Sequence, residues 1–196
     1  MRKTQVTRKT NETDIALSLD LDGAGSNSIS TGVGFLDHML ELFSRHGRFD
    51  LEINCKGDTF IDDHHSVEDI GICLGTAFAR ALGDARGVRR YSDVTLPMDE
   101  ALVLCAIDIS GRSHLSLDVK LPGGAIGTMD TELLEEFLQA FVRKAAITVH
   151  IRMLDGKNTH HIIEACFKAF ARALREAVSI DDRYSDEIPS TKGALT

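Results

Sequence analysis

The chain of 196 residues is short of proline, of paired cysteines and of clustered positive charge. It contains three prolines and no Pro- or Gly-rich linker between its halves, so independently folding domains are not expected. Cys55, Cys73, Cys105 and Cys166 stand far apart without a C-x-x-C pair. That spacing excludes a disulfide framework or a zinc ribbon and predicts buried, reduced thiols in a cytoplasmic protein. A basic stripe is also missing: the net charge of −8 is spread over both halves, which excludes tracking along a nucleic-acid backbone and confines any cationic site to a local pocket. The longest charge-free stretch, Gly23 to Leu36, is rich in Ser, Gly and Thr, and Met1-Arg2-Lys3-Thr4 leads into a polar segment, so neither a membrane span nor a signal core is expected. What remains is 43% hydrophobic content, enough to bury the core of one soluble domain.

That content is organised as an internal repeat. Phe35, Leu36, Met39, Leu40 and Phe43 form a helical face that returns 98 residues later as Leu133, Leu134, Phe137, Leu138 and Phe141. The same shift carries the alternating segment Phe49, Leu51, Ile53 onto Ile147, Val149, Ile151, and Leu17, Leu19, Leu21 onto Leu115, Leu117, Val119. Further on the shift shrinks to 96 at two His-His-x-x-Glu motifs, then to 92 at Phe78-Ala79-Arg80-Ala81-Leu82 and Phe170-Ala171-Arg172-Ala173-Leu174. Each half therefore reads strand, strand, helix, strand, helix. The expected architecture is α/β, two fused repeats over residues 1–92 and 93–196 with helices packed on sheets and one shared core. Gly87 to Pro97 reads as a compact charged connection between them. Gly47 and Gly83 are expected at helix ends, with Asp63 and Thr159 as N-caps.

His64-His65-x-x-Glu68 and His160-His161-x-x-Glu164 carry the chemistry. With eight His and eleven Glu in the chain, one chance occurrence is expected about 0.02 times, so two at one repeat position are informative. On a helix each His lies three or four residues from the carboxylate and can share a face with it, while adjacent rings point about 100° apart and cannot grip one ion together. The pairs are thus expected to feed two metal sites. At a helix N-terminus the dipole disfavours imidazolium and keeps the ring lone pair available. A donor set of imidazole and carboxylate without thiolate suits Mn, Fe or Zn, and spacing alone does not choose among them. His38, beside the apolar face of its helix, is by itself as compatible with packing as with ligation, but its repeat counterpart is Glu136, another ligand type. His46, His114 and His150 lack such a partner and read as structural. The tail Ile188-Pro189-Ser190-Thr191-Lys192-Gly193 has a composition able to hold a phosphate, although taken alone a frayed terminus is the favoured reading. Arg89, Arg90 and Arg112 are ambiguous from the residues alone.

Five segments in order settle the reading: Gly34-Phe35-Leu36-Asp37-His38-Met39-Leu40, Asp62-Asp63-His64-His65-Ser66-Val67-Glu68-Asp69, Pro97-Met98-Asp99-Glu100-Ala101, Asp108-Ile109-Ser110-Gly111-Arg112 and Asn158-Thr159-His160-His161-Ile162-Ile163-Glu164-Ala165. With the Pro-Ser-Thr-Lys-Gly tail they resemble the imidazoleglycerol-phosphate dehydratases essentially end to end. The resemblance implies a lyase of histidine biosynthesis, with two Mn ions per subunit, Zn or Fe being the alternatives. It gives His64, His160 and Glu164 to one ion and His38, His65, Glu68 and His161 to the other, with ligands from more than one subunit. Glu136 is a departure, since many members carry His there. The resemblance further implies phosphate contacts at Arg90, Arg112, Lys168, Ser190 and Lys192, and a substrate-binding acid at Glu12. Catalytic carboxylates are expected at Glu12, Glu68 and Glu164. It also implies a homo-oligomeric 24-subunit shell, acting on a small phosphorylated imidazole and binding neither nucleic acid nor membrane. Two other classes share parts of the pattern. A two-metal phosphate hydrolase would be distinguished by its products. A metal-storage shell would use Glu-x-x-His on bundle helices rather than His-His-x-x-Glu in a strand-rich repeat.

Overall fold

The computed structural model describes residues 2–195. The first half runs β1 (Lys3–Lys9), β2 (Thr13–Asp20), β3 (Asn27–Ser30), α1 (Gly34–Gly47), β4 (Asp50–Gly57) and α2 (His64–Leu82). The second runs β5 (Tyr91–Met98), β6 (Ala101–Asp108), β7 (His114–Asp118), a small β8 (Ala125–Ile126) and β9 (Met129–Asp130) hairpin, α3 (Leu133–Ala145), β10 (Thr148–Asp155) and α4 (Thr159–Val178). Two mixed four-stranded sheets result, ordered β1-β2-β4-β3 and β5-β6-β10-β7. Each four-stranded sheet has one strand more than the sequence pattern suggested, and the second half adds the β8–β9 hairpin; β3 is hard to read because it is only four residues long and its Asn27-Ser28-Ile29-Ser30 lacks a second apolar residue to alternate. Strand β5 opens at Tyr91 and takes up most of the expected connection from Gly87 to Pro97.

Register corrects one strand match. Leu17 pairs with Ile53 on β4, and Cys105 pairs with Ile151 on β10, so β2 corresponds to β6 at a shift of 88 residues. Ile29 of β3 and Leu117 of β7 show the same offset, both pairing parallel with those central strands. The expected equivalence of Leu17, Leu19, Leu21 with Leu115, Leu117, Val119 is therefore wrong. The β8–β9 insertion changes the shift from 88 to 98 only after β7, and the helical and β4/β10 matches at 98 hold.

Burial follows the pleat. Thr13, Ile15, Leu17 and Leu19 of β2 and Ala101, Val103, Cys105 and Ile107 of β6 face inward, with their neighbours more exposed. The helices lie on the inner faces of the sheets, α2 against β1 and β2, α4 against β5 and β6. Across the repeats, α1 packs on α4 and α2 on α3. Gly71 and Gly75 permit the second contact: a Cβ on Gly71 would lie 2.8 Å from the Phe137 carbonyl oxygen and 2.9 Å from Ala140 Cβ. A cluster of Phe43, Phe78, Phe141 and Phe170 joins the two halves in one core. All four cysteines are free and buried. Burial pushes Cys55 and Cys73 up to about 11 and Cys166 up to about 12.

The helix ends differ slightly from expectation. Gly47 closes α1, with Arg48 in the left-handed region at φ 57°, and Gly83 follows α2 at φ 65°. Asp63 stands before α2 but makes no side-chain cap, and Asp62 accepts from His64 N–H at 2.8 Å instead. Thr159 is the first residue of α4. Its cap is Asn158, whose side-chain oxygen accepts from the backbone N–H of His160 and His161.

Candidate metal centre and anion cleft

Because α1 lies on α4, His38 arrives beside the first turn of α4. Asp37 fixes that end of α1 by accepting from the backbone N–H and hydroxyl of Thr31 at 2.8 and 2.6 Å. His38, His160 and Glu164 form a three-donor group in which the ligand atoms lie within 4.8 Å of one another, and it is the one such group among the described residues. Glu164 Oε2 is 3.2 Å from His160 Nε2 and 3.5 Å from His38 Nε2. Its other oxygen is held by Lys168 Nζ at 2.5 Å, one helical turn on. Burial alone would raise the Glu164 carboxyl, but Lys168, His38 and His160 outweigh it and hold the group below the ordinary carboxylate range. Phe35 packs edge-on against the His160 ring, with centroids 5.1 Å apart. The donor set therefore fits a divalent cation: two imidazoles and one nearly buried, ionised carboxylate with a free oxygen facing them.

The two rings of each His pair diverge as the helix requires. His160 and His161 have centroids 6.3 Å apart and planes at 82°, and His64 and His65 repeat this at 6.2 Å and 83°. His161 Nδ1 meets Glu100 Oε2 at 2.7 Å, and His65 Nδ1 meets Asp58 at 3.0 Å. These carboxylates, more than any other group, raise the affinity of both rings for protons. At His65 and His161 a carboxylate in direct contact thus opposes the helix dipole and raises the proton affinity of the ring. The same contact, with backbone N–H groups, lowers Glu100 to about 2.

The resemblance grouped His38 with His65, Glu68 and His161. Within one chain His38 instead joins His160 and Glu164, since the crossed helix packing brings α1 to α4 and leaves α2 with α3. Repeat equivalents of this trio are Glu136, His64 and Glu68, which do not converge into a second three-donor group within the chain. Glu68 lies 3.8 Å from Arg143. Glu12, in the turn before β2, has Oε1 3.7 Å from His65 Nε2 and is half exposed.

A separate cleft of about 620 Å³ is lined by Arg90, Ser110, Arg112, Ser190 and Lys192 among others, bringing together four of the five expected phosphate contacts. Arg90, at φ 73°, bonds Asp108 through Nε at 2.8 Å and donates through Nη1 to the Pro189 carbonyl at 2.7 Å, which ties the tail to the sheet. Lys168 does not line this cleft. Its ammonium is turned toward Glu164 and Met98 Sδ.

Residues that the sequence reading left without a role are Glu100 and Asp58. Glu100 stands at the 88-residue counterpart of Glu12, a relation hidden while the shift was taken as 98.

Comparison with known proteins bears on the whole arrangement. Residues 31–174 match the family model described as imidazoleglycerol-phosphate dehydratase. An imidazoleglycerol-phosphate dehydratase of a Jannaschia species is 56% identical over 195 residues, covering 100% of both chains. One from a Synechococcus species is also 56% identical, covering 100% of this chain and 96% of its own. The Staphylococcus aureus enzyme structure superposes with a TM-score of 0.83 at 43% identity, covering 91% of this chain and 99% of that one. The Pyrococcus furiosus IGPD structure gives 0.84 at 37% identity, covering 97% and 100%. With the duplicated sheets, the His and Glu group and full-length relatives in agreement, the chain belongs to the imidazoleglycerol-phosphate dehydratase family.

Proposed function

We infer that this chain is a metal-dependent hydro-lyase that dehydrates imidazoleglycerol phosphate to imidazole-acetol phosphate and water in histidine biosynthesis. The observation that carries the reading is the Glu164 carboxylate, with one oxygen anchored by Lys168 and the other offered to His38 and His160, in a chain related end to end to such enzymes. We assign two Mn ions per subunit, in preference to Zn or Fe, with His38, His64, His65, Glu68, Glu136, His160, His161 and Glu164 as the ligand pool. The sites would be completed between subunits of a homo-oligomer, a 24-subunit shell by family resemblance. No helix among the described residues is long and apolar enough to cross a membrane, and four buried thiols suit the cytoplasm.

The hydrogen to be lost from the diol has no carbonyl beside it, so the imidazole ring of the substrate is the only available electron sink. Such an ion, when bound, acts as a Lewis acid that lowers the cost of negative charge on that ring. The chain's own groups do the rest. Arg90, Arg112, Ser190 and Lys192 anchor the phosphate by charge-assisted hydrogen bonds, while Lys168 holds Glu164, and that remote binding energy orients the ring and the diol. Glu12, half exposed and facing the Nε2 edge of His65, moves the proton between carbon and water. Loss of the hydroxyl on the ring-attached carbon and of the neighbouring C–H gives an enol, which becomes the ketone by tautomerisation. Glu68 and Glu164 also border the reacting centre, but ligation would leave them weaker bases.

The test is metal analysis coupled to turnover. Chelated protein should be inactive on imidazoleglycerol phosphate, with activity returning as Mn is restored to two ions per subunit. Full turnover by metal-free protein, or release of inorganic phosphate in place of a ketone, would reject the reading.

A further inference from the structure

The 88-residue register makes Glu12 and Glu100 counterparts, each in the hairpin turn that precedes the second strand of its sheet. Their surroundings differ. Glu100 is committed: Oε1 accepts from the backbone N–H of Asn158 at 2.7 Å and of Lys157 at 3.3 Å, and Oε2 takes His161 Nδ1 at 2.7 Å. Glu12 makes neither contact with its own carboxylate. In that half the backbone carbonyl of Glu12 accepts from Asp58 N–H at 3.1 Å, and Asp58 takes His65 Nδ1 with both oxygens, at 3.0 and 3.2 Å. The Glu12 carboxylate is left 3.7 Å from the opposite nitrogen of His65.

An ionised carboxylate only accepts hydrogen bonds, so a ring nitrogen bonded to it carries the proton and the other nitrogen keeps its lone pair. We propose that Glu100 is a positioning residue: it fixes the Nδ1–H tautomer of His161 and leaves Nε2, which lies 3.8 Å from Asp99 Oδ2, as the donor. Asp58 performs the same task for His65, and Glu12 is thereby released from orienting duty to face the substrate. The two repeat-equivalent carboxylates thus serve as a holder in one half and a reagent in the other. The inference rests on His161 and His65 being metal ligands. Outer carboxylates of this kind set both the tautomer and the aim of a ligating ring, and losing one typically weakens metal binding about 10–100-fold.

Glutamine at position 100 separates orientation from scaffolding. Its amide oxygen can keep both backbone N–H groups of the loop before α4, but its NH2 then faces His161 Nδ1. That nitrogen must now accept, which puts the proton on Nε2 and removes the donor. A purely structural glutamate would be replaced by glutamine without consequence. In Asp58→Asn the amide can turn its oxygen to the ring, so the loss should be smaller.

The experiment is titration of metal-free full chain with Mn(II), following free Mn by electron paramagnetic resonance, for the native protein, Glu100→Gln and Asp58→Asn. One class of site should weaken about 10–100-fold in Glu100→Gln and less in Asp58→Asn, with thermal unfolding of the metal-free Glu100→Gln protein close to native. Native affinity in Glu100→Gln overturns the proposal. Failure of the native protein to bind Mn overturns the ligand reading beneath it. Ring 15N shifts of His161 in the unsubstituted metal-free chain give a check that needs no variant. The Nδ1–H form supports the assignment, and the Nε2–H form refutes it.

Discussion

Replacing Lys168 by Met tests whether the lysine is chiefly the counter-ion of Glu164 or chiefly a phosphate contact. Methionine keeps an apolar stem of similar length and removes the ammonium that sits 2.5 Å from Glu164 Oε1. Both side chains are largely shielded, at 15% and 8% exposure, so solvent screening does not cancel the interaction. Removing one partner of a buried pair costs about 3–5 kcal/mol. Two effects reduce that here. His38 and His160 still face the other oxygen at 3.5 and 3.2 Å, and Glu164 can escape by taking a proton at about 1.4 kcal/mol per unit of pKa rise. A loss of about 2–4 kcal/mol at neutral pH is expected for the metal-free protein. The pH dependence has a definite sign. In the native chain the Glu164 carboxyl is held low, so it contributes stability above the unfolded carboxylate value of about 4.3, lost as pH falls through its folded value. Without Lys168, burial is less opposed and the folded value rises. The variant's deficit is then largest at neutral pH and shrinks on acidification as Glu164 takes up its proton. Urea unfolding of metal-free native and Lys168→Met proteins, at one fixed protein concentration across a pH series, reads both features. Coincident unfolding curves at neutral pH, with only KM raised, would refute the counter-ion role and leave Lys168 a phosphate ligand.

Alanine at Gly71 or Gly75 should lower Tm, because its Cβ would press on the Phe137 or Phe141 carbonyl. Overpacking costs about 1–3 kcal/mol against about 1 kcal/mol regained in helix propensity, and an unchanged or higher Tm in thermal melts would contradict the close α2–α3 contact. Glu12→Gln should reduce kcat by about 10²–10⁴-fold with KM nearly constant. Lys192→Ala should raise KM with turnover retained, since a charge-assisted phosphate bond contributes about 1.5–3 kcal/mol, and steady-state kinetics showing the reverse assignment would sink the division between anchor and acid. Glu136→Ala should loosen one Mn ion and Glu136→His should tighten it, and calorimetric titrations indistinguishable from native for both would remove Glu136 from the ligand pool.

Helices α1 to α4 and their inward faces were legible in the sequence, since the apolar rows at Phe35–Phe43 and Leu133–Phe141 are long enough for the 3.6 period to stand out. Strands of four or five residues carry too few alternations for that. The short β3 leaves no periodic signal, and Leu115, Leu117 and Val119 match Leu17, Leu19 and Leu21 in pattern but not in register, because one alternating triplet resembles any other. The His-His-x-x-Glu motifs point to candidate metal ligands and to the divergence of their rings. They could not announce that His38 would stand against His160 and Glu164, a consequence of α1 crossing to α4. Glu100 lay in a recognised segment without a role, since the pairing that gives it one depends on a register only the sheets reveal. The Ser190 and Lys192 tail was ambiguous for a similar reason, as Arg90 reaches Pro189 across 99 residues of chain.

The crossed packing also decides what a cut chain could do. Severed in the segment between α2 and β5, the protein would yield one fragment holding His38 and another holding His160 and Glu164. Neither half owns a finished donor group, so a half-length ancestor could have assembled one only by embracing a second copy of itself. In the single chain the two halves are held together covalently, so they need not be alike. His38 with its repeat counterpart Glu136, and Glu12 with Glu100, are places where the two halves differ in what they hold.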